Sequence, residues 1–297
     1  MTENLFANGD RQKSDSVEPG VLYVVATPIG NLLDITHRAL AVLRQVDLIA
    51  AEDTRQTRVL LQRYGIGTPL LAYHEHNETA LLPRLVEQLK AGQAIALVAD
   101  AGTPLISDPG FPLVREARRQ ALKVVPVPGP SAGVCALSAA GLASDRFLFL
   151  GFPPRQTTQR RAWLQALAGE RATLVLYEAS HRVQATLRDL AELWGGRRRA
   201  VIARELTKRF ETFSEGSLAE LAQVLAQDPQ QRKGEFVLLV EGSQEAADEA
   251  TAREAERVLR ILAEELPLKQ AAALAARITG GKRNRLYRLA LQWQKKP

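Results

Sequence analysis

Short apolar runs alternate with amphipathic stretches along the first half of the chain. The runs predict buried strands, and the stretches, in which apolar residues recur every three or four positions, predict helices. The predicted strands are 21–26, 47–51, 69–73, 94–99 and 123–127, and the predicted helices are about 35–45, 54–63, 78–91 and 111–121. This alternation is typical of a mostly parallel sheet covered by helices.

The second half continues the alternation and adds a hairpin. It opens on a predicted helix of small residues, 132–140, which is entered through Pro130 and Ser131. The elements that follow are strands 147–151, 172–177, 199–203, 210–215 and 235–240, and helices 157–168, 181–194 and 217–227. Because residues 207–216 resemble a hairpin or meander, we expect the second sheet to be mixed.

Only helices are predicted beyond residue 247. A long amphipathic pattern covers 248–265, and two shorter ones cover 267–278 and 282–293, with Gly280 and Gly281 between them. Two short helices joined by a glycine turn resemble a helix-turn-helix. A solvated helical pair packed on the main body would give the same pattern, so both interpretations stay open.

These patterns predict an α/β protein with two α/β domains and a small helical extension. The expected division is a disordered leader over 1–18, an N-terminal α/β domain over 19–130, a second α/β domain over 131–244, and a basic helical extension over 247–297. The leader is polar and lacks a hydrophobic core, so it is not expected to be a signal peptide.

Composition agrees with a globular protein and argues against a membrane protein. The chain has 297 residues, of which 46% are hydrophobic and 24% are charged, and no apolar run approaches the ~20 residues that span a bilayer. The single cysteine, Cys135, cannot form an internal disulfide. Its apolar surroundings predict a core residue rather than a nucleophile, as expected for a reducing cytoplasm.

The positive charge is concentrated in the C-terminal segment. The net charge is +6, and residues 251–297 contain eleven basic and four acidic residues. Such a segment indicates a polyanionic partner, because contacts from lysine and arginine to phosphate dominate nucleic-acid affinity.

Three loops rich in glycine and proline follow predicted strands. They are Thr27–Asn31, Asp100–Gly110 and Pro126–Ala132. Parallel α/β sheets bind ligands beyond the carboxyl ends of their strands, so the three loops predict one small-molecule pocket. Any one of them could be only a tight turn.

Several familiar motifs are absent from the sequence. There is no phosphate loop, no dinucleotide-binding glycine fingerprint, and no cysteine pair or histidine cluster with zinc spacing. His74 and His76 are interpreted as part of a polar loop at a strand end rather than as metal ligands. Rigid glycine and proline loops suit an adenine edge, ribose hydroxyls and a sulfonium better than a triphosphate, which would require a lysine or a metal.

Particular segments resemble a known enzyme family. Thr27–Thr36, Ala51–Arg55, Asp100–Gly110 and Pro128–Ala132 closely resemble the tetrapyrrole-methylase-like S-adenosylmethionine-dependent methyltransferases. The resemblance runs from about residue 20 to residue 242, and Ala26 departs slightly from the usual Gly-Thr-Pro start. Within that superfamily the chain resembles the ribosomal RNA branch, which methylates a cytidine 2′-hydroxyl in 16S RNA of the small ribosomal subunit. The resemblance also includes four further segments: Tyr73–Glu78, Tyr177–Arg182, Ala203–Lys208 and Gly234–Phe236.

The resemblance implies a fold, a cofactor and an assembly. Two α/β domains of the tetrapyrrole methylase type would hold S-adenosylmethionine in the cleft between them, and the protein would be a homodimer. The residues implied to bind the cofactor are Pro28, Gly30, Asp100, Ala101, Gly102, Thr103, Pro104, Ser131, Ala132, Tyr177, Glu178, Gly234, Glu235 and Phe236. No metal is implied.

A ribose hydroxyl is a poor nucleophile at neutral pH and benefits from a base or a stabilising charge. The catalytic candidates are Glu52, Asp53, His74, Glu178, Glu205 and Lys208. Asp53 could instead cap a helix, and Glu205 with Lys208 could be a surface ion pair. The candidates for contacts with RNA phosphates are Arg55, Arg58, Lys282, Arg283, Arg285 and Arg288.

The sequence therefore leads to a main hypothesis and two alternatives. The main one is a cytoplasmic S-adenosylmethionine-dependent RNA 2′-O-methyltransferase that acts on 16S ribosomal RNA. One alternative is methylation of a small tetrapyrrole, and the other is a nucleic-acid-binding protein without catalysis that uses residues 282–288.

Overall fold

The computed structural model describes residues 16–244 and 247–294. The predicted leader therefore lies, up to residue 15, outside the described residues. The chain divides into two compact units: the α/β unit is Met1–Leu164 with Thr173–Glu241, and the helical unit is Gln165–Ala172 with Gly242–Pro297.

The first sheet of the α/β unit is entirely parallel. Its order is β3-β2-β4-β1-β5. The strands are β1 (Leu22–Val25), β2 (Leu48–Ala51), β3 (Leu70–Ala72), β4 (Ile95–Val98) and β5 (Val124–Val127). The helices that connect them are α1 (His37–Gln45), α2 (Thr54–Arg63), α3 (Glu78–Lys90) and α4 (Phe111–Arg119). The alternation predicted from the sequence is confirmed here.

Both faces of this sheet are buried, because helices cover each of them. One core contains Tyr23, Val25 and Ile49, and the other contains Leu22, Ile95 and Leu97. Two-sided burial explains why the strands are continuous apolar runs rather than alternating ones. The glycine- and proline-rich loops after β1, β4 and β5 lie at the ends of these strands.

Helix α1 begins two residues later than predicted, for a local reason. Leu32–Asp34 form a short 3-10 turn, and the Thr36 hydroxyl then accepts the Ala39 N–H at 3.1 Å. A threonine N-cap satisfies one of the donors that the first turn leaves unpaired. This turn fixes the exit of the loop that follows β1.

The second sheet is mixed, as predicted. Its order is β6-β7-β10-β8-β9, with β6 and β7 parallel and the other pairs antiparallel. The strands are β6 (Phe147–Gly151), β7 (Thr173–Ala179), β8 (Arg199–Arg204), β9 (Thr212–Ser217) and β10 (Glu235–Val240). The helices are α5 (Ala132–Ala139), α6 (Thr157–Leu167), α7 (Val183–Trp194) and α8 (Leu218–Gln227). The 3-10 turn Pro229–Arg232 precedes β10.

Strand β9 begins at Thr212 and not at Phe210, so the predicted start was wrong. The Glu211 carboxylate accepts the Thr207 N–H at 2.6 Å, and the Glu211 N–H donates to the Lys208 carbonyl at 3.1 Å. These bonds hold Phe210 in a loop outside the sheet. The predicted boundary at residues 130 and 131 falls between β5 and α5, and a division of the α/β unit there stays a prediction.

The helical unit contains α9 (Ala247–Glu265), α10 (Leu268–Thr279) and α11 (Arg283–Gln294). Alanine and leucine side chains such as Ala255, Ala272 and Leu286 form its core. Gly280 ends α10 at a φ of 75°, and the two predicted short helices differ by one residue from the observed ones. Within residues 16–244 and 247–294, no helix is long and apolar enough to cross a membrane.

Ala121 provides a test of how α4 ends. Its φ is 56°, and two bonds close the helix around it, from the Ala121 N–H to the Arg118 carbonyl and from the Leu122 N–H to the Ala117 carbonyl. A left-handed residue with a Cβ costs roughly 1–2 kcal/mol, most of which glycine avoids. We expect Ala121→Gly to raise the free energy of unfolding by about 0.5–1 kcal/mol in urea denaturation.

Gly65 is the matched control, because it follows α2 at a φ of 62° and a Cβ there would meet no atom within 4 Å. Gly65→Ala should therefore lower the free energy of unfolding through backbone strain alone. A stability for Ala121→Gly equal to that of the parent would contradict the prediction.

Candidate functional site

The loops that follow β1, β4 and β5 are tied together by hydrogen bonds. Thr27 and Gly102 exchange two backbone bonds of 2.9 and 3.0 Å, and the Thr27 hydroxyl donates to the Ala99 carbonyl at 3.2 Å. The Thr103 hydroxyl donates to the Pro130 carbonyl at 3.0 Å. The expectation that the three loops meet is confirmed, and they form one rigid edge of the first sheet.

A cavity of about 340 Å³ lies against these loops, and we call it the loop cavity. Its volume is in the range of small-molecule sites. Gly102 has a φ of +85° and lies against Ile29, so the backbone itself reaches the cavity wall there. The lining residues are Ile29, Ala101, Gly102, Thr103, Ile106, Ser107, Asp108, Ser131, Ala132, Phe152, Tyr177, Glu178, Ala179, Leu206, Glu235, Phe236 and Val237.

Nine of the fourteen residues proposed for the cofactor line the loop cavity. The other five are Pro28, Gly30, Asp100, Pro104 and Gly234, which do not line it. Pro28 and Pro104 are buried in the loops. The Asp100 carboxylate accepts the Asp53 N–H at 2.8 Å, which joins the ends of β4 and β2. These residues support the loops, and their role toward a cofactor stays a prediction.

Gly30 lies at a close approach between two loops, and its role toward a cofactor stays a prediction. A Cβ on Gly30 would lie 2.6 Å from Cγ of Lys208, which is closer than real side chains approach. The loop after β1 is therefore packed against the loop after β8. This contact joins the two sheets beside the loop cavity.

Sequence reasoning missed eight of the lining residues. Ile106, Ser107 and Asp108 belong to a loop that the sequence did single out, so the proline and glycine around them were an available signal. Ile29, Ala179 and Leu206 likewise lie in segments that the sequence singled out, Thr27–Asn31, Tyr177–Arg182 and Ala203–Lys208, and only Phe152 and Val237 lie outside all of them.

Tyr177 organises the wall opposite the loops. Its hydroxyl accepts the Gly133 N–H at 3.0 Å, which satisfies a donor in the first turn of α5. Its ring packs edge-to-face on Phe149 and Phe152, with centroids 4.9 and 5.6 Å apart. Burial raises the pKa of Tyr177, so the phenol is neutral at physiological pH.

Asp108 is the carboxylate that faces the loop cavity without a partner. It accepts no hydrogen bond from any residue in the described ranges. Burial, followed by the negative charges of Glu52 and Asp100, raises its pKa to about 7. The loop that carries it is strained, because Leu105 and Ser107 have φ values of 72° and 74°. Strain of this kind is common at functional sites.

Glu52 and Asp53 follow β2 and do not line the loop cavity. Burial and the charge of Asp100 raise the pKa of Glu52. Asp53 caps α2 and holds the Arg55 guanidinium at 2.7 Å, and these bonds lower its pKa to about 2. A carboxylate with so low a pKa is a weak base, so the geometry favours the capping interpretation of Asp53.

The Glu178 side chain is fully buried and paired. Thr186 donates its hydroxyl to the carboxylate at 2.5 Å, and the Arg182 Nε lies 3.2 Å from it. These contacts join β7 to α7. They favour a structural role for the carboxylate over proton transfer.

Glu205, Lys208 and Glu235 form a network at the ends of β8 and β10. The Lys208 Nζ lies 3.0 Å from Glu205 and 2.9 Å from Glu235. Burial by itself would raise the pKa of the Glu205 carboxyl. The hydrogen bond from the Glu235 N–H and the charge of Lys208 together outweigh burial, so the net effect is a lowered pKa. The geometry therefore favours the interpretation of Glu205 and Lys208 as an ion pair over a catalytic role for either of them.

The two neighbouring histidines, His74 and His76, pack against each other. They follow β3 rather than lying in it, and their rings meet edge-to-face with centroids 5.9 Å apart, His74 against His76. Across the part of the chain that the structure describes, no group of three or more histidine, cysteine or acidic residues is arranged to hold a metal ion.

Cys135 packs, half-buried, against the apolar cluster beneath α5. Burial and the charges of Glu211 and Asp34 raise the pKa of its thiol. A raised pKa disfavours the thiolate that a nucleophile needs, in agreement with the core residue that the sequence predicts.

The predicted phosphate-binding residues lie in two places. Arg55 and Arg58 are exposed on α2, and Arg55 is bonded to Asp53. In the helical unit, Lys282, Arg285 and Arg288 line a groove of about 720 Å³ together with Arg253, and we call it the basic groove. Arg283 does not line it.

Two family models cover most of the chain. The one described as Tetrapyrrole (Corrin/Porphyrin) Methylases matches residues 21–222, and the one described as RsmI C-terminal HTH domain matches residues 249–294. The uroporphyrin-III-C-methyltransferase of Thermus thermophilus has a similar fold, with a TM-score of 0.54 and 21% identity over 75% of this chain and 94% of its own. The predicted fold class is confirmed.

Curated relatives match over nearly their full length. The Ribosomal RNA small subunit methyltransferase I of Pseudomonas aeruginosa is 56% identical over 93% of this chain and 99% of its own. The protein of that name from Escherichia coli O157:H7 is 52% identical over 95% and 98%. The chain belongs to the tetrapyrrole methylase family and, within it, to the ribosomal RNA small subunit methyltransferase I family.

Proposed function

We propose that the protein transfers a methyl group from S-adenosylmethionine to a cytidine 2′-hydroxyl of 16S ribosomal RNA in the small ribosomal subunit. The observation that carries the proposal is the loop cavity, where an unpaired carboxylate faces a pocket of glycine-rich backbone and apolar side chains. The similarity to ribosomal RNA methyltransferases supports the choice of acceptor.

The residues of the loop cavity fit the methyl donor. Ile29, Leu206 and Val237 offer apolar surface for an adenine, and the backbone of Ala101 and Gly102 lies open beside them. Asp108 adds a carboxylate that no cationic side chain within residues 16–244 and 247–294 pairs with. A cationic ligand complements such a carboxylate.

S-adenosylmethionine, when bound, supplies a methyl group that its sulfonium already activates. The chain must then align the ribose oxygen, exclude water and accept a proton. The bond from carbon to the 2′-oxygen forms as the bond from carbon to sulfur breaks, and that electron pair stays on sulfur. We assign the hydroxyl proton to the Asp108 carboxylate, because it faces the cavity and the other candidates are paired or lie outside it.

The basic groove of the helical unit is proposed as an accessory RNA contact. Lys282, Arg285, Arg288 and Arg253 line it together with one acidic residue, Glu256, which is paired with Arg260. The lining is therefore mostly basic and complements the negative charge of a phosphate backbone. We further propose a homodimer, as in the sequence-based expectation, and action in the cytoplasm, where ribosomal subunits are found.

Methylation of a small tetrapyrrole has less support. The fold alone permits it, because enzymes of this fold act on different acceptors. However, the relatives that match nearly the whole chain are named as ribosomal RNA methyltransferases. In addition, binding of a small tetrapyrrole would not require the basic groove. Binding of a uroporphyrin-like compound would favour this alternative.

The direct test follows labelled methyl groups from S-adenosylmethionine into RNA. Small subunits from cells that lack the modification should become labelled, free 16S RNA should react less, and mass spectrometry should locate the label on one cytidine ribose. Gly102→Arg fills the loop cavity and should abolish labelling while circular dichroism confirms its fold. Absence of label in those subunits would refute the proposal.

A further inference from the structure

A second depression lies at the ends of β8 and β10. Its volume is about 370 Å³, and we call it the side groove. One of its walls is an aromatic ring, and the others carry mostly charged or polar groups. The lining residues are Arg204, Glu205, Phe210, Gln230, Lys233 and Gly234.

The side groove shares a wall with the loop cavity. Glu205 and Gly234 line the groove, and the next residue along each segment, Leu206 and Glu235, lines the cavity. This wall is rigid, because Glu205 and Glu235 are joined by a backbone bond of 3.0 Å and by the bond from the Glu235 N–H to the Glu205 carboxylate at 2.9 Å. Lys208 bridges the two carboxylates from above.

Phe210 is unusually exposed for a large apolar residue. Its relative exposure is 66%, and the bonds of Glu211 hold it outside β9. The Arg209 guanidinium lies 5.6 Å from the ring centroid. A solvent-exposed ring beside a cation offers a stacking surface for a nucleobase.

The cations around the ring suit a nucleic-acid backbone, and the carboxylate that lines the groove, Glu205, is paired with Lys208. Arg209 and Lys233 are exposed, and neither makes an ion pair with a carboxylate among the residues that the structure describes. Arg204 builds the floor, because its guanidinium donates to the Thr212 hydroxyl and to the carbonyls of Gln230 and Lys233. Phosphate oxygens could therefore bind to the exposed Arg209 and Lys233 beside the ring, above the floor that Arg204 forms.

We infer that the side groove holds an unpaired nucleotide of the substrate RNA, next to the nucleotide whose ribose enters the loop cavity. Its base stacks on Phe210, and its phosphates meet Arg209 and Lys233. Proteins recognise single-stranded RNA largely by stacking splayed bases on aromatic side chains. The inference rests on the proposed function and adds to it the path of the RNA strand, from the loop cavity into the side groove.

The test measures methyl transfer to small subunits by Phe210→Ala, Phe210→Trp and the parent. Stacking is worth about 1–3 kcal/mol per base, so Phe210→Ala should raise KM for the subunits roughly fivefold to a hundredfold. Affinity for S-adenosylmethionine should not change, and Phe210→Trp should restore KM. Phe147→Ala, which removes another exposed ring at the start of β6, is the matched control and should behave as the parent.

An unchanged KM for Phe210→Ala would overturn the inference while leaving the proposed function intact. A lower molecular mass for that variant in sedimentation would also overturn it, because the ring would then be covered by a second copy of the chain. If the parent itself failed to methylate subunits, the proposed function would fall, and binding of a labelled unpaired oligoribonucleotide would decide on the groove: weaker binding by Phe210→Ala supports it, and equal binding overturns it.

Discussion

Replacing Asp108 by asparagine is expected to lower the rate of methyl transfer by about 10²–10⁴-fold, which is the usual contribution of a positioned base. The substitution keeps the size of a side chain that lines the loop cavity and removes its ability to accept a proton. The measurement is single-turnover methyl transfer to small subunits at saturating S-adenosylmethionine.

The rate of methyl transfer is also expected to depend on pH through Asp108. The Asp108 pKa is about 7, mainly because burial, and then the charges of Glu52 and Asp100, disfavour the carboxylate. A base acts in its deprotonated form, so kcat/KM for the donor, measured at limiting S-adenosylmethionine, should rise with pH through about 7 and level off above it. Asp108→Asn should lose this rise.

The free energy of unfolding of the parent should fall as pH rises, whereas its activity should increase. A carboxyl whose pKa is raised by folding stabilises the protein below its unfolded pKa, and this contribution is lost as pH rises through about 7. The parent should therefore lose stability between about pH 4 and pH 7 relative to Asp108→Asn. A variant that is inactive and yet more resistant to unfolding at pH 8 would separate a lost proton acceptor from a lost fold.

Asp145→Asn is the control, because Asp145 is exposed and distant in sequence from all three loops. It should leave the rate and its pH dependence unchanged. A parent-like rate for Asp108→Asn would exclude Asp108 as the proton acceptor and would return attention to Glu52, whose pKa burial also raises.

Removing three charges from the basic groove should weaken RNA binding strongly. The variant is Lys282→Ala with Arg285→Ala and Arg288→Ala, all of which line that groove. Each phosphate contact contributes about 0.7–0.9 to the slope of log affinity against log salt, so the slope should become shallower by about two to three. At physiological salt the affinity for small subunits should fall roughly tenfold to a hundredfold.

Binding of the donor distinguishes an accessory contact from general damage. S-adenosylmethionine affinity should be unchanged, because the loop cavity lies within the α/β unit. The matched control replaces three exposed arginines of that unit, Arg63, Arg118 and Arg188, by alanine. Equal affinity and an equal salt slope for the groove variant and the parent would show that these charges do not contact RNA.

Much of the first sheet could be predicted because its signals are local. A strand buried on both faces is a continuous apolar run, and 94–99 indicates β4 for that reason. A turn after such a strand needs glycine and proline, so the residue types of Asp100–Gly110 were enough to predict a ligand-facing loop. The start of β9 could not be predicted, because Glu211 forms hydrogen bonds with Thr207 and Lys208. These bonds keep Phe210 and Glu211 in a loop and so delay the start of the strand.

Catalytic candidates were harder to rank, because acidity depends on neighbours that are distant in sequence. Asp53 and Glu178 look like available carboxylates in the sequence, yet Arg55 pairs with the first and Arg182 with Thr186 encloses the second. Asp108 drew no attention, although its loop did. Its pKa depends first on burial and then on the charges of Glu52, which follows a different strand, and of Asp100 in the same loop.

The sequence by itself determined the alternating fold, the three loops at one edge of the sheet and the concentration of positive charge near the C-terminus. These follow from hydrophobic periodicity, turn chemistry and composition, which are properties of neighbouring residues. The tertiary structure alone decided which carboxylate faces the loop cavity unpaired, and that Leu206 and Val237 complete its wall. It also placed Phe210 beside that wall. Burial and charge at a point in space depend on residues that only folding brings together.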